Sequence, residues 1–335
     1  MISDSRPGLN AQRLVRLMNA AIARCQLDLE GRVVLTEAAT GAYVVTPVLA
    51  ALAGADVYAL ASATVFGSAA ELRKSTAELA AIAGVADRIQ FAAEKSPAFV
   101  GAADIVTNSG QVRPIDAAFV ALMKRSAVVP LMYESWEYRP SDVDMAACRA
   151  RNIIVAGTNE RHPSVDVFSF LGMMAVKQLH DAGIAVYGSH LVVFCDNSFA
   201  PFIMNALRDA GADVTMTQQL TEDVLDRPCD AVLLALQPHT GRSVSAAEAK
   251  LLGEKAPGTV LVQYWGDADR LALADAGVPV WPEIAPSAGH MGVLPSAIGP
   301  EPVIRLQAGG LKVGQLLAGG LDQVSAEERA LVQLL

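Results

Sequence analysis

The chain has 335 residues, of which 52% are hydrophobic and 18% charged, enough for two domains of ordinary size, each with its own core. A formal net charge of −9, with no cluster of Lys and Arg, argues against nucleic acid as a partner. No apolar run approaches the roughly 18 uninterrupted residues of a membrane span, and Met1-Ile-Ser-Asp-Ser-Arg-Pro-Gly8 lacks the pattern of a signal peptide, so a cytoplasmic protein with no membrane partner is expected. The cysteines Cys25, Cys148, Cys195 and Cys229 form no CxxC pair, so neither a zinc site nor a disulfide framework is expected.

An amphipathic helix opens the chain at about Leu9 to Arg24, apolar at Leu14, Leu17, Met18, Ala21 and Ile22. Apolar runs then alternate with helical stretches, the pattern of a parallel sheet. Strands are expected at Val33–Leu35, Asp56–Leu60, Arg88–Phe91, Asp104–Val106, Val128–Leu131 and Ile153–Val155, with helices from about Ala42, Ala69, Ile115 and Val143. Residues 163 to 183 read as one long apolar helix connecting two domains, closed by the Gly183 stop signal.

A second series follows, with strands at Leu191–Phe194, Asp213–Met216, Ala231–Leu234, Val260–Gln263 and Val278–Trp281. The last apolar periodic segment, about residues 303 to 320, is expected to fold back on the first domain. Val48 to Val57 and Ile203 to Val214 share the order helix, Gly turn, Asp, strand, as two domains of one architecture would. The fold class is therefore α/β, two Rossmann-like doubly wound parallel-sheet domains (residues 1–162 and 184–302) with a cleft between them.

Three segments together resemble the D-2-hydroxyacid dehydrogenase superfamily, whose layout is shared with adenosylhomocysteine hydrolase. Ser141 to Val155, with Gly157-Thr-Asn-Glu-Arg-His-Pro-Ser-Val165, is similar to the end of its substrate domain and its crossover. Ala235-Leu-Gln-Pro-His-Thr-Gly-Arg-Ser-Val244 and the helix that follows resemble the loop under the nicotinamide. Pro257 to Gln263 resembles the next strand, and Glu283 and His290 fall where the family keeps its acid and histidine. The likeness implies NAD or NADP as cofactor, a small-molecule ligand, a homo-oligomer such as a dimer, and Glu283 and His290 as the proton-transfer pair. In the N-terminal half, Val33 to Tyr43, Gly84 to Phe91 and Ala103 to Asn108 also follow the order of motifs in a class I methyltransferase, without its glycine-rich first loop.

The departures from the family pattern are chemical. Leu191-Val-Val-Phe-Cys-Asp-Asn-Ser-Phe-Ala-Pro201 occupies the place of the phosphate-binding loop and contains no glycine. Asp196, Asn197, Ser198 and Phe199 stand where backbone N–H groups would meet a pyrophosphate, and Thr215-Met-Thr-Gln-Gln219 lacks the carboxylate that binds the adenosine ribose. Trp265-Gly266 replaces the arginine that clamps the substrate carboxylate. Tyr133-Glu-Ser-Trp-Glu-Tyr138 replaces the glycine loop that holds that carboxylate, and its two glutamates argue against an anionic 2-hydroxy acid.

The candidate catalytic residues are thus Glu283, His290 and Arg161, the last supplying from Thr158-Asn-Glu-Arg-His162 the positive charge that Trp265 does not. Asp196, Asn197, Ser198, Phe199, Gln237, Trp265 and Gly266 are the candidate cofactor contacts, with His239 beside them. Asn108, Ser109 and Gly110, with Glu134 and Ser135, are the candidate substrate contacts at strand ends, and no metal is expected. Cys195 is open to two readings, a reactive thiol before a helix N-terminus or a small buried apolar residue. Three functions fit: an NAD(P)-dependent oxidoreductase of a small polar metabolite, a non-redox lyase, hydrolase or transferase on the same frame, and a noncatalytic ligand-binding protein.

Overall fold

The computed structural model describes residues 6–238 and 243–335, which form two α/β units. The first unit comprises residues up to Val167 and from Gly299 to Leu335; the second is Phe168–Ile298. Both are built on parallel sheets, in accord with the alternation of apolar runs and helices along the chain.

In the first unit, strands β1 (Val33–Glu37), β2 (Asp56–Leu60), β3 (Ile89–Ala92), β4 (Ile105–Val106), β5 (Val128–Pro130) and β6 (Ile154–Thr158) are connected by helices α1 to α6. Helix α1 (Ala11–Cys25) precedes the sheet; α2 (Val45–Leu52), α3 (Ala69–Ala83), α4 (Pro97–Ala102), α5 (Ala117–Leu122) and α6 (Met145–Ala150) are the crossovers. Short 3-10 turns at Gly41–Val44, Gly110–Val112 and Ser135–Glu137 follow the ends of β1, β4 and β5. Helix α3 begins where Ser68 and Glu71 exchange hydrogen bonds as a capping box, and α6 begins on the Asp144 side chain.

Helices α7 to α10 belong to the second unit: α7 (Leu171–Asp181), α8 (Ala200–Asp209), α9 (Ala246–Lys255) and α10 (Arg270–Asp275). Its main sheet joins β7 (His190–Cys195), β8 (Asp213–Thr217), β9 (Ala231–Ala235), β11 (Val260–Trp265) and β13 (Val280–Trp281), while β10 (Ser243–Val244) and β12 (Asp267–Ala268) form a separate parallel pair. Strands β7 and β9 are buried along their whole length, as expected for parallel strands covered on both faces.

The chain then returns to the first unit through α11 (Glu301–Gly319), which packs on α1, α2, β5 and β6. After α12 (Ala326–Arg329), strand β14 (Val332–Leu334) runs antiparallel beside β6, an edge strand that the apolar pattern does not announce. The first sheet has the order β14-β6-β5-β4-β1-β2-β3 and the second β13-β11-β9-β7-β8. Each reverses direction beside its first strand, between β1 and β4 in one and between β7 and β9 in the other.

The long helix expected over residues 163 to 183 is shorter, because the chain turns before it. Val165 and Asp166 both donate to the His162 carbonyl, at 2.9 and 2.8 Å, and Asp166 adopts a left-handed conformation (φ 51°), so helix geometry begins only at a 3-10 turn, Phe168–Phe170. Gly172 on α7 lets that helix lie against α8: a Cβ there would run into the Ala206 Cβ and stand 2.5 Å from the Phe202 carbonyl oxygen. Gly172→Ala is therefore expected to destabilise the second unit by about 1–3 kcal/mol, read as a lower urea midpoint, whereas Gly183→Ala, which has open space but a left-handed backbone (φ 82°), acts through local backbone strain alone.

Candidate functional site

In doubly wound sheets, ligands bind beyond the carboxyl ends of the strands where the strand order reverses. In the first unit this point is bounded by Glu37, which ends β1, and by Thr107 to Gln111 after β4. The Glu37 carboxylate accepts the Gln111 backbone N–H at 2.7 Å, and the Gln111 side chain donates to the Ala38 carbonyl at 3.1 Å. Gly110 opens the short turn against this carboxylate, and a side chain at that position would run into it. The Ser109 hydroxyl lies 2.6 Å from that of Thr107, which donates to the Thr36 hydroxyl at 2.9 Å. Asn108 is buried at 1% exposure; its carbonyl oxygen accepts the Met132 N–H at 2.8 Å, and its amide nitrogen has no hydrogen-bond partner.

Next to β4, the loop after β5 brings Glu134, Ser135 and Glu137 to the same end of the sheet. Glu134 is buried; one of its carboxylate oxygens accepts the indole N–H of Trp136 and the other the backbone N–H of Glu160 at 3.1 Å. Ser135 donates its backbone N–H to the Gln333 side chain on β14 at 2.8 Å, so the C-terminal strand supports this loop. The loop lies so close over β6 that a Cβ on Gly157 would run into the Ser135 backbone nitrogen. These contacts fix the two glutamates beside Glu160, which follows β6.

Burial dominates the electrostatics of this carboxyl cluster. It lifts the Glu137 carboxyl to about 7, outweighing the Glu134 backbone and Arg139, which pull it down, while the Glu134 charge adds to the rise. The Glu160 carboxyl is raised well above the usual range by burial and then by Glu137 and Glu134. Glu37 is raised too, by burial against the opposing Gln111 N–H and Arg113. The Tyr43 residue is exposed overall at 39%, yet the surroundings of its phenol raise it through desolvation and then through Glu160 and Glu37, so it stands within the field of both. Closely placed carboxyls in a desolvated setting hold protons that isolated ones release.

The corresponding point of the second unit is closed. Asp196, just past β7, accepts the Gln237 backbone N–H at 2.9 Å through the oxygen that also takes the Asn197 amide at 3.1 Å. Asn197 also donates to the Ala235 carbonyl at 2.6 Å and accepts the Phe199 N–H at 3.0 Å. Phe199 is buried and stacks on Trp265, ring centroids 4.8 Å apart, and the Trp265 indole donates to the Gly289 carbonyl at 3.2 Å. Helix α8 starts with Ala200, whose N–H goes to the Asn197 carbonyl at 3.3 Å, and Pro201, which has none.

A pyrophosphate needs free backbone donors and no opposing charge at such a helix start. Here the donors of Phe199, Ala200 and Gln237 are taken, Pro201 has none, and a carboxylate stands beside them, so these four positions offer a pyrophosphate no backbone donor. Ser198 is exposed at the tip of this loop, and Gly266 (φ 96°) accepts the Gln263 side-chain amide on its carbonyl at 2.8 Å.

Glu283 and His290, expected as an acid–base pair, are both exposed, and among the described residues no hydrogen bond or ion pair joins them. The His290 ring instead meets the Ala288 carbonyl at 3.2 Å. The reason lies in Arg270, which donates to the carbonyls of Pro282 and Glu283 at 2.8 and 3.1 Å and to the Gln263 side chain at 2.6 and 3.1 Å, fixing the Glu283 segment by its backbone. Arg161 is exposed, with its backbone N–H on the Asn159 side chain at 3.1 Å. The neighbouring His162 is buried between Ser164 and the Glu327 carbonyl, at 2.8 and 3.0 Å. Burial pushes the Cys195 thiol up to about 11, which fits the small apolar residue rather than the reactive thiol. His239 lies outside the described residues. Among the described residues no group of three or more His, Cys, Asp or Glu is arranged to hold a metal ion, and no helix is long and apolar enough to cross a membrane.

No protein-family model matches the chain, and no curated protein does. Solved structures match its fold. A dipicolinate synthase chain from Bacillus halodurans matches at 11% identity and a TM-score of 0.54, covering 87% of this chain and 99% of that one. Its counterpart from the dipicolinate synthase of Bacillus subtilis matches at 12% identity and 0.52, covering 91% and 99%. A transhydrogenase from Sinorhizobium meliloti matches at 14% and 0.50, covering 90% and 96%. At these identities the likeness is one of fold, a dehydrogenase-like frame of two Rossmann-like units.

Glu37, Tyr43, Glu137 and Glu160 do not stand out as site residues in the sequence, although Glu137 and Glu160 lie in loops that do. The signal is position: each glutamate follows the carboxyl end of a parallel strand. The raised carboxyls set a pH dependence. Unfolded, Glu137 titrates near the ordinary value of about 4.3; folded, it holds its proton up to about 7. The folded state therefore binds more protons in that window, and stability, complete at acid pH, falls as pH rises through it. A loss on the order of 1–3 kcal/mol is expected between about pH 5 and about pH 8, and urea titrations should show a flatter profile for Glu137→Gln.

Proposed function

We propose that the chain is a non-redox enzyme of small-molecule metabolism, working on a dehydrogenase-like frame by proton transfer at the carboxyl end of the first sheet. The observation that carries this reading is the hydrogen bond from the Glu160 backbone N–H to the Glu134 carboxylate, which brings the turn holding Glu137 beside Glu160, both half-buried and both with raised carboxyls. A pair that shares a proton near neutrality has one member able to accept a proton from a ligand C–H, N–H or O–H while the other donates one. Glu134, anchored by two N–H donors, holds the loop and supplies the charge that keeps the shared proton in place. Tyr43 lies within reach of the same field and orients a polar ligand, and Ser109 with Asn108 lines the β4 side.

Hydride transfer is the second reading, supported by the five-stranded parallel sheet of the second unit, an architecture that binds dinucleotides in other proteins. NAD or NADP would then lie against residues 196–199, Gln237, Trp265 and Gly266 by contacts other than a glycine-loop cradle, with Glu283 and His290 beside it and a homodimer as the assembly. The closed network around Asp196 and Phe199 weighs against it.

Two measurements separate the readings. Calorimetric titration with millimolar NAD, NADP and adenosylmethionine is expected to give no binding heat. Incubation with pooled small polar metabolites in D2O, followed by proton NMR, is expected to show loss of a C–H signal or a new product with the native protein, and at least a roughly hundredfold slower change with Glu137→Gln or Glu160→Gln. Nicotinamide binding accompanied by a change in its absorbance, with turnover unaffected by both substitutions, would replace this reading by the second.

A further inference from the structure

The carboxyl ends of β1, β4, β5 and β6 present an unbalanced set of groups. Glu37, Glu134, Glu137 and Glu160 bring four carboxyls to one end of one sheet. Arg113 acts on Glu37 and Arg139 on Glu137, and each cation is outweighed by burial. Among the described residues the charges that act on Glu160, those of Glu137 and Glu134, are of its own sign.

A second, independent feature stands among them. Asn108 follows β4, which lies between β1 and β5 in the sheet, so it falls between Glu37 and the loop of Glu134. Its carbonyl oxygen reaches the Met132 N–H beyond the end of β5, which places the carboxamide at the same end of the sheet as the glutamates. Its amide nitrogen is buried with no acceptor. A buried donor left without an acceptor is unfavourable, so a ligand oxygen that meets it is bound more tightly.

We propose that this site binds a small organic ammonium compound bearing a hydroxyl or carbonyl oxygen close to its nitrogen, of the amino-alcohol class. The ammonium takes the Glu137 and Glu160 carboxyls, and the neighbouring oxygen accepts the Asn108 amide. An ammonium with three N–H donors satisfies several carboxyl oxygens at once, which a neutral polyol does not, and an anion is repelled. Because the carboxyls hold a shared proton before the ligand arrives, binding of the cation expels it. The site then tightens on its ligand as pH rises toward the pKa of the amine. This assignment rests on the reading of Glu137 and Glu160 as a proton-sharing pair, and names what that pair receives.

The test uses ethanolamine and 2-amino-1,3-propanediol as probes, with ethylene glycol and glycolate as the neutral and anionic counterparts. Calorimetry of the full chain in buffers of different ionisation heat, near neutral pH, should show binding of both amines with release of about one proton per ligand. Ethylene glycol and glycolate should give no heat. The Glu137→Gln/Glu160→Gln double variant should bind the amines at least roughly tenfold more weakly and without proton release, and Asn108→Ala roughly three- to tenfold more weakly. Circular dichroism checks the fold of each variant, and the comparison of ethanolamine with ethylene glycol on the native chain needs no variant at all. Equal binding of amine and glycol, or no amine binding at tens of millimolar, overturns the assignment. Carbon-13 NMR of labelled glutamate keeps that failure distinct: a carboxyl that titrates near neutrality and vanishes in Glu137→Gln preserves the proton-sharing pair even when the amine assignment falls.

Discussion

Both sheets rest on the same device, a carboxylate at or just past the end of the first strand that accepts a backbone N–H from the loop after the strand beside it. Glu37 takes Gln111 in the first unit, and Asp196 takes Gln237 in the second. Parallel strands diverge at the point where their order reverses, and the loops leaving them carry N–H groups that need acceptors. A side-chain carboxylate supplies one on the spot, with a charge-assisted hydrogen bond that pins two loops to one another. The same choice fixes what each reversal point can hold, because a carboxyl group now stands there.

The two units use that constraint differently. In the second, Asn197 adds two more hydrogen bonds, Phe199 closes on Trp265, and Pro201 removes a donor from α8, so the reversal point is filled by the chain itself. In the first, the charge of Glu37 is joined by Glu134, Glu137 and Glu160 instead of being covered by aromatic rings. Desolvation of like charges is unfavourable unless protons or a counterion compensate. Proton uptake is the compensation visible in the raised carboxyls. Sites with perturbed carboxyls at strand ends are where acid–base chemistry concentrates, which is why the first unit carries the functional reading.

Much of the architecture is legible in the sequence because parallel strands buried on both faces write themselves as short apolar runs, and Val33–Leu35, Val128–Leu131 and Leu191–Phe194 are such runs. The helix expected over 163–183 is too long because apolar periodicity does not register a left-handed residue such as Asp166. Strand β14 escapes notice because three residues at a chain end carry too little pattern, and its role comes from pairing with β6. Within the site, Asn108 and Glu134 are legible as loop residues after strands. Glu160 is not separable from its neighbours Arg161 and His162 in sequence, since what distinguishes it is its contact with the Glu134 loop, which is held over β6 by the close approach at Gly157 and by the Gln333 contact far away in the chain.

The departures around residues 196 to 201 have a physical unity. Removing glycines alone would have left α8 with free N–H groups and an open reversal point, a site with nothing in it. Asp196 and Asn197 take up the loop donors, Phe199 fills the space, Trp265 stacks on it and ties down Gly289, and Pro201 leaves no donor to satisfy. The changes support one another: the half-buried Asp196 carboxylate is paired by the Gln237 N–H and the Asn197 amide, and an indole without Phe199 would leave a void. The loop is therefore tied down by its own hydrogen bonds and by the Phe199–Trp265 stack, whereas at the other sheet carboxyls gather beside an amide donor that has no acceptor among the described residues.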